Sequence, residues 1–226
     1  MEATMQGAHV REHGSILADA EKRALVWMAR RLPRWINADH LTVLGLLAMA
    51  GTGAAYWASQ WHELALLGAV AGLAVNWFGD SLDGTVARVR NHQRPRYGYY
   101  VDHVADITSM LLLCAGLALS PYMSMAPALL LLAAYLMLCA EAYLATHACG
   151  VFRVSIMRVG PTELRILLAA GTLCVLLRGG EVALLGGTWL LFDVGALAGI
   201  AGMFGALGFS VARNAAALSR AEPLPR

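Results

Sequence analysis

Four aspartates stand where an acidic side chain is hardest to keep: Asp80 and Asp83 in one apolar run, Asp102 and Asp106 in the next. Each pair is spaced by one helical turn, so both of its carboxylates project from one face of a helix. A carboxylate within a membrane span is costly unless it faces a polar cavity or a cation. The short basic link Arg88 to Arg96 makes the two helices antiparallel and brings the pairs to similar depth. Four converging carboxylates repel one another unless protons or metal ions neutralise them. Such donors are hard oxygens without His or Cys, which favours Mg²⁺ or Mn²⁺ over zinc, and two such ions could clamp a diphosphate for displacement at phosphorus. Pairing with an arginine such as Arg88 accounts for one or two of the acids but not for four.

Small residues flank the acids. Gly84 follows Asp83, Ala87 lies one turn further, and Gly98 precedes Asp102 by one turn, leaving that side of both helices without bulk. A flat ligand could then approach the backbone, although small residues at a tight helix crossing look the same. Arg88 could grip phosphate oxygens bidentately or serve as a snorkelling anchor.

The elements that position these residues must be membrane helices. Of 226 residues 58% are apolar and 14% charged, with a mean hydropathy of +0.57, which excludes an ordinary soluble domain. A net charge of +2 argues against a nucleic-acid partner and leaves membrane lipid as the surroundings. Six runs approach the roughly 20 apolar residues of a spanning helix: Leu41 to Ser59, Leu64 to Val89, Gly98 to Leu119, Met125 to Cys149, Thr162 to Leu177 and Leu184 to Ala212. The expected fold is therefore an all-α integral membrane protein with six transmembrane helices. Between Ile16 and Leu32, apolar residues alternate with Lys22, Arg23, Arg30 and Arg31 at helical spacing, which predicts an N-terminal interfacial amphipathic helix. The chain divides into that segment (1–36), a six-helix catalytic domain (37–216) and a tail (217–226). The charged N-terminal stretch does not resemble a cleaved signal peptide.

Sixteen of the seventeen Lys and Arg fall before the first span, in the even-numbered links or at the C-terminus, and only Arg178 falls on the other side. By the positive-inside rule both termini and the acidic site face the cytoplasm. Cys114, Cys139, Cys149 and Cys174 are scattered singly, as small buried hydrophobes rather than a disulfide or zinc framework. Tyr56, Trp57, Trp61 and Trp189 lie at span ends as interface anchors.

Asp80-Ser-Leu-Asp83-Gly84-Thr-Val-Ala87-Arg88, nine residues, Gly98, three residues, Asp102, three residues, Asp106 resembles the signature of the CDP-alcohol phosphotransferase (CDP-alcohol phosphatidyltransferase) family at all eight of its fixed positions. The resemblance implies an integral membrane enzyme of phospholipid biosynthesis in a bacterial-type inner membrane. Such an enzyme moves a phosphatidyl-type group from a CDP-linked donor, such as CDP-diacylglycerol, to an alcohol or alcohol-phosphate acceptor and releases CMP. It further implies that Asp80, Asp83, Asp102 and Asp106 hold a divalent, binuclear metal site, that Asp106 is the general base, that Gly84, Ala87, Arg88 and Gly98 line the cytidine diphosphate pocket, and that the enzyme is a homodimer. Upstream, Asn37-Ala38-Asp39-His40-Leu41-Thr42 resembles the family's opening of the first span, with Ala38 in place of proline and Asp39 in place of asparagine. Asp39 and Thr42 are nucleotide contacts on that basis, or else N-caps of the first span.

A second polar cluster, Phe152 to Arg165, holds Arg153, Arg158, Glu163 and Arg165. Gly160-Pro161-Thr162-Glu163 predicts a turn and a helix start capped by Thr162. Its arginines could bind a phosphate of the acceptor or the lipid, or anchor topology with a Glu163–Arg165 pair. Arg165 in particular lies inside the span and needs a partner. Glu141 suits a hydrogen bond across helices, and Asp193 an interfacial position. The glycines at 195, 199, 202, 205 and 208 permit close helix contact. Two other classes compete. UbiA-type prenyltransferases also surround Mg-diphosphate with aspartates, and Asn76 with Asp80 echoes them, but their spacing differs. A cation or proton transporter would spread its acids across the bilayer, whereas these four cluster at one end.

Overall fold

In the computed structural model, which describes residues 18–149, 161–184 and 186–223, the apolar runs fold as helices joined by short links. In chain order these are α1 (Ala18–Arg31), α2 (Ala38–Ala58), α3 (Ala65–Val89), α4 (Pro95–Ala118), α5 (Met125–Cys149), α6 (Pro161–Arg178), a hairpin of β1 (Glu181–Leu184) and β2 (Gly187–Leu190), and α7 (Leu191–Ala221). Helices α2, α3, α4, α5 and α7 are long and apolar enough to cross a membrane. The protein is an all-α membrane protein. Helix α6 is shorter, with 18 residues, and carries Glu163, Arg165 and Arg178.

The sixth apolar run differs from expectation. Its first residues form the antiparallel hairpin, in which Glu181 pairs with Leu190, and α7 begins only at Leu191. Glycine decides this. Gly179 (φ +87°) ends α6 and Gly186 (φ +80°) turns the hairpin, both in the left-handed region that glycine enters without penalty. Apolar character alone did not distinguish these strands from helix.

Local chemistry sets the helix ends around the acids. Asn37 opens α2 with a capping box: its side chain accepts from the His40 N–H at 2.9 Å, and His40 Nδ1 accepts from the Asn37 N–H at 3.2 Å. Asp39 and Thr42 are therefore not the caps. At the end of α3, the His92 N–H reaches the Ala87 carbonyl at 2.9 Å and the Asn91 N–H the Arg88 carbonyl at 3.3 Å, a Schellman closure with Asn91 at φ +56°. Pro95 then starts α4, where a missing N–H costs nothing.

Helix α2 is the spine of the bundle. Both α3 and α4 pack closely along it, whereas α3 and α4 make no comparable backbone approach to each other; α6 lies against α3, and α5 against α4 and α7. Between helices in lipid, close fit and hydrogen bonds replace the hydrophobic drive. Glycine permits that fit at two crossings. A Cβ on Gly79 of α3 would sit 2.6 Å from the Leu41 carbonyl oxygen and 2.7 Å from the Gly45 nitrogen, and one on Gly53 of α2 or Gly116 of α4 would overlap the other helix's backbone. The glycines of α7 behave differently: Gly195, Gly205 and Gly208 face open space, and Gly199 meets Leu131 at ordinary contact distance.

Tyr56, expected at an interface, is fully buried, and its hydroxyl shares a 2.6 Å hydrogen bond with Thr172 of α6. Trp57, Trp61 and Trp189 are exposed. Of the four cysteines, all free, Cys114 is buried but Cys174 is exposed. Asp193 is buried and accepts from the Ser124 N–H at 2.8 Å and hydroxyl at 2.6 Å just before α5. Glu141 bridges helices, accepting from Ser210 at 2.8 Å and Asn214 at 2.9 Å on α7.

Helix α1 docks on the bundle through Ala29, which packs with Leu41, Leu82 and Val86, flanked by Leu25, Met28 and Leu32. Arg90 holds the chain leaving it, donating to the carbonyls of Ile36 (2.5 Å), Leu32 (2.8 Å) and Pro33 (3.2 Å). A guanidinium there satisfies orphan carbonyls and favours the negative end of the helix dipole.

Candidate metal centre

Three of the four aspartates converge. Asp80 of α3 and Asp102 and Asp106 of α4 each offer a carboxylate oxygen, and these oxygens lie within 4.8 Å of one another. Since α3 and α4 are held apart by their shared packing on α2, the carboxylates meet across a gap between helices. All three residues are partly buried, so their mutual repulsion is only partly screened by water.

Asp83, one turn beyond Asp80, is more deeply buried and stands outside this trio. Its Oδ2 accepts from the Thr42 hydroxyl of α2 at 2.6 Å, and its Oδ1 accepts from the Gly84 N–H. Thr42 thus fixes the Asp83 carboxylate with its one hydroxyl proton, and the Ala38 carbonyl, 3.1 Å from the same oxygen, is the alternative acceptor.

The cation facing the trio comes from α6. Arg165 donates from Nη2 to Asp80 Oδ2 at 2.5 Å and from Nε to Asn76 Oδ1 at 2.7 Å. Asn76 is buried, and its Nδ2 donates to the Gly45 carbonyl of α2 at 2.9 Å. A side-chain amide four residues before Asp80 therefore ties α2, α3 and α6 together behind the carboxylate. Sequence reasoning identified Arg165 as needing a partner but did not find the Asn76 tie; the signal available was an amide on the Asp80 face of an apolar helix.

The remaining candidates scatter around this centre. Arg88 is exposed and donates to Thr85 Oγ1 at 3.0 Å, and its guanidinium lies 3.1 Å from where a Cβ of Gly84 would be. Gly98 has open space where its side chain would be. Asp39 pairs with Arg94, and together with Ala87 they line a cavity of about 420 Å³ between the start of α2 and the end of α3. Arg34, Arg90 and His92 also line it, giving that mouth a basic character. Gly84, Arg88 and Gly98 are not among the residues lining this cavity.

In the second cluster, Arg153 and Arg158 lie outside the described residues. Pro161 is the first residue of α6, so Thr162 sits inside the helix rather than capping it. Its hydroxyl donates instead to Glu21 Oε1 of α1 at 2.8 Å, and the Trp77 Nε1–H donates to the same oxygen at 2.8 Å. Glu21 thereby joins α1, α3 and α6 near the acids. It gave no signal in the sequence, where it is one more charge on an amphipathic helix. Glu163 lies in the first turn of α6, and the partners of Arg165 are Asp80 and Asn76.

The donor set fits a hard divalent cation: three carboxylates from two helices at ligand spacing, without thiol or imidazole among them, and one of them already holding a positively charged group. The family model described as CDP-alcohol phosphatidyltransferase matches residues 35–205, which cover α2 to the middle of α7 and every one of these side chains. No curated protein matches the chain.

Proposed function

The chain belongs to the CDP-alcohol phosphatidyltransferase family, and from that premise we propose that it transfers a phosphatidyl-type group from a CDP-linked lipid, such as CDP-diacylglycerol, to a hydroxyl acceptor at the Asp80–Asp102–Asp106 centre, releasing CMP. Transfer from a CDP-alcohol to an alcohol, with a divalent metal, is the family's chemistry. The observation that carries its assignment to this site is the convergence of carboxylates from α3 and α4 within 4.8 Å. Family membership favours this chemistry over prenyl transfer or ion transport.

In the proposed site Asp80, Asp102 and Asp106, joined by Asp83 oriented by Thr42, would hold Mg²⁺ or Mn²⁺, in two ions. Bound ions would supply charge neutralisation of the diphosphate and ease departure of CMP. Asp106 accepts the proton of the acceptor hydroxyl as its oxygen bonds to the lipid-side phosphorus and the bond from that phosphorus to the CMP oxygen breaks. The gap flanked by Gly84 and Gly98 admits the donor's diphosphate, Arg88 meets its oxygens at the rim, and the basic cavity at Asp39 and Ala87 lies on the same side for the nucleotide. The acceptor would be an alcohol or an alcohol phosphate, the latter if Arg153 and Arg158 approach the site.

As an enzyme of phospholipid biosynthesis in a bacterial-type inner membrane, it would place this end of the bundle and both termini in the cytoplasm. Helix α6 would be the sixth crossing, residues 37–216 the catalytic domain, and a second copy of the chain its dimer partner.

The test is CMP release by purified protein in lipid nanodiscs, given CDP-diacylglycerol, Mg²⁺ or Mn²⁺ and a panel of alcohols and alcohol phosphates. Release should depend on metal, rise with one acceptor and fall by about 10²–10⁴ in Asp106→Asn. Metal-independent release, or an Asp106→Asn variant as active as the wild type, overturns the assignment.

A further inference from the structure

Arg165 and Asp80 form an ion pair inside a site whose proposed occupant is itself a cation. The guanidinium is mostly buried and the carboxylate partly so, with side-chain exposures of 14% and 26%, and the 2.5 Å bond joins helices far apart in sequence. The fork is not loosely placed. Its Nε is held by Asn76 Oδ1, and Asn76 is held in turn by the Gly45 carbonyl. Asp80 is the member of the carboxylate trio that carries this bond, while its neighbours Asp102 and Asp106 stand within ligand distance of it.

Three clustered carboxylates repel one another and need a counter-charge when no ion is bound. A guanidinium always carries its charge and offers several donors in one plane, so an arginine on a third helix can supply that counter-charge without leaving the protein. The same charge opposes a divalent ion at the same oxygens. Together with the metal-centre reading proposed above, on which it rests, the geometry points to Arg165 as a tethered counter-ion: it occupies Asp80 before metal loads, and metal displaces it from that carboxylate. Because Nε bonds to Asn76 rather than to Asp80, displacement pivots the guanidinium about Asn76 instead of expelling it. Metal loading thereby loosens the ionic tie between α3 and α6 and frees Nη donors beside the reacting centre. Arg165 is in this sense a positioning residue that couples ion occupancy to α6.

A purely structural salt bridge makes the opposite demand. It would orient Asp80 for the metal, so removing Arg165 would weaken metal binding, commonly by 10–100-fold for a residue supporting a ligand.

The experiment is Mn²⁺ binding to the full chain in nanodiscs, followed through the electron paramagnetic resonance signal of free Mn²⁺, for wild type, Arg165→Gln and Arg165→Lys. Arg165→Gln should bind Mn²⁺ at least about tenfold more tightly than wild type, and Arg165→Lys, which keeps the charge, should stay much closer to wild type. Equal or weaker binding by Arg165→Gln overturns the counter-ion role while leaving the metal centre standing. Absence of Mn²⁺ binding by the wild type overturns the metal centre and this inference with it. If Arg165→Gln does not fold, hydrogen exchange of wild-type α6 on titration with Mg²⁺ decides the matter: faster exchange in its first two turns supports displacement, and unchanged or slower exchange refutes it.

Discussion

Replacing Gly79 by alanine adds one methyl group at the crossing that holds α3 against α2. That methyl would lie 2.6 Å from the Leu41 carbonyl oxygen, 2.7 Å from the Gly45 nitrogen and 2.9 Å from its Cα. Ordinary contacts lie near 3.5–4.0 Å, so with backbone on both sides the helices must part by about 1 Å. Two hydrogen bonds straddle the same crossing: Thr42 to Asp83 at 2.6 Å and Asn76 to the Gly45 carbonyl at 2.9 Å. A shift of that size carries the second beyond useful range and strains the first. Overpacking costs about 1–3 kcal/mol and each lost bond about 0.5–1.5 kcal/mol, for a total of roughly 2–5 kcal/mol. At about 2–4 °C per kcal/mol for a chain of this size, Tm should fall by roughly 4–20 °C. Thermal unfolding in nanodiscs measures this against Gly51→Ala, which has nothing within 4 Å of its added Cβ and should hold or slightly raise Tm. Mn²⁺ affinity should fall in Gly79→Ala as well, because Asp80 and Asp83 move with the helix. If Gly79→Ala melts alongside the wild type, the close crossing is not what seats the acids.

Thr42→Val removes the hydroxyl that fixes Asp83 and should weaken Mn²⁺ binding by about 10–100-fold with little change in helix content, checked by binding and circular dichroism; unchanged affinity would detach Asp83 from the metal centre. Arg90→Ala leaves three carbonyls between residues 32 and 36 without their shared donor, so hydrogen exchange at residues 29–36 should accelerate and stability fall by about 1–3 kcal/mol. In Tyr56→Phe the Thr172 hydroxyl keeps its 2.7 Å bond to the Leu168 carbonyl, which limits the loss to about 0.5–1.5 kcal/mol in thermal unfolding; a much larger loss would mean that Thr172 depends on Tyr56. Excess chelator should abolish CMP release without unfolding the bundle, and added Mg²⁺ or Mn²⁺ should restore it.

Much of the bundle was legible because its rules are local. Apolar runs between Gly, Pro and charge located α2 to α6 to within a few residues, since length and composition determine what can lie in hydrocarbon, whereas α7 starts at Leu191 and runs on to Ala221, past the Ala212 end of its apolar run. Where two local signals competed, the outcome was less clear. The stretch from Leu184 reads as apolar span but bends into a hairpin at Gly186. Asp39, Thr42 and Thr162 all suit helix starts, yet Asn37 takes the cap of α2, Thr42 bonds Asp83 and Thr162 bonds Glu21. Tyr56 reads as an interface aromatic because its sequence position is near a span end, but α6 covers it.

For the site, spacing alone determined that Asp80 and Asp83 share one helix face and Asp102 and Asp106 another, because a helical turn repeats wherever the helix goes. It also carried the family, since the motif is a pattern along two adjacent helices. Tertiary structure decided which carboxylates meet, and it joined Asp80 to Asp102 and Asp106 while giving Asp83 to Thr42. It also brought Arg165, 85 residues away, onto Asp80 through Asn76. The physical reason is that a lone charge in an apolar helix announces only that it needs a partner, whereas the partner is selected by how glycine-lined helices cross and how deeply each one sits.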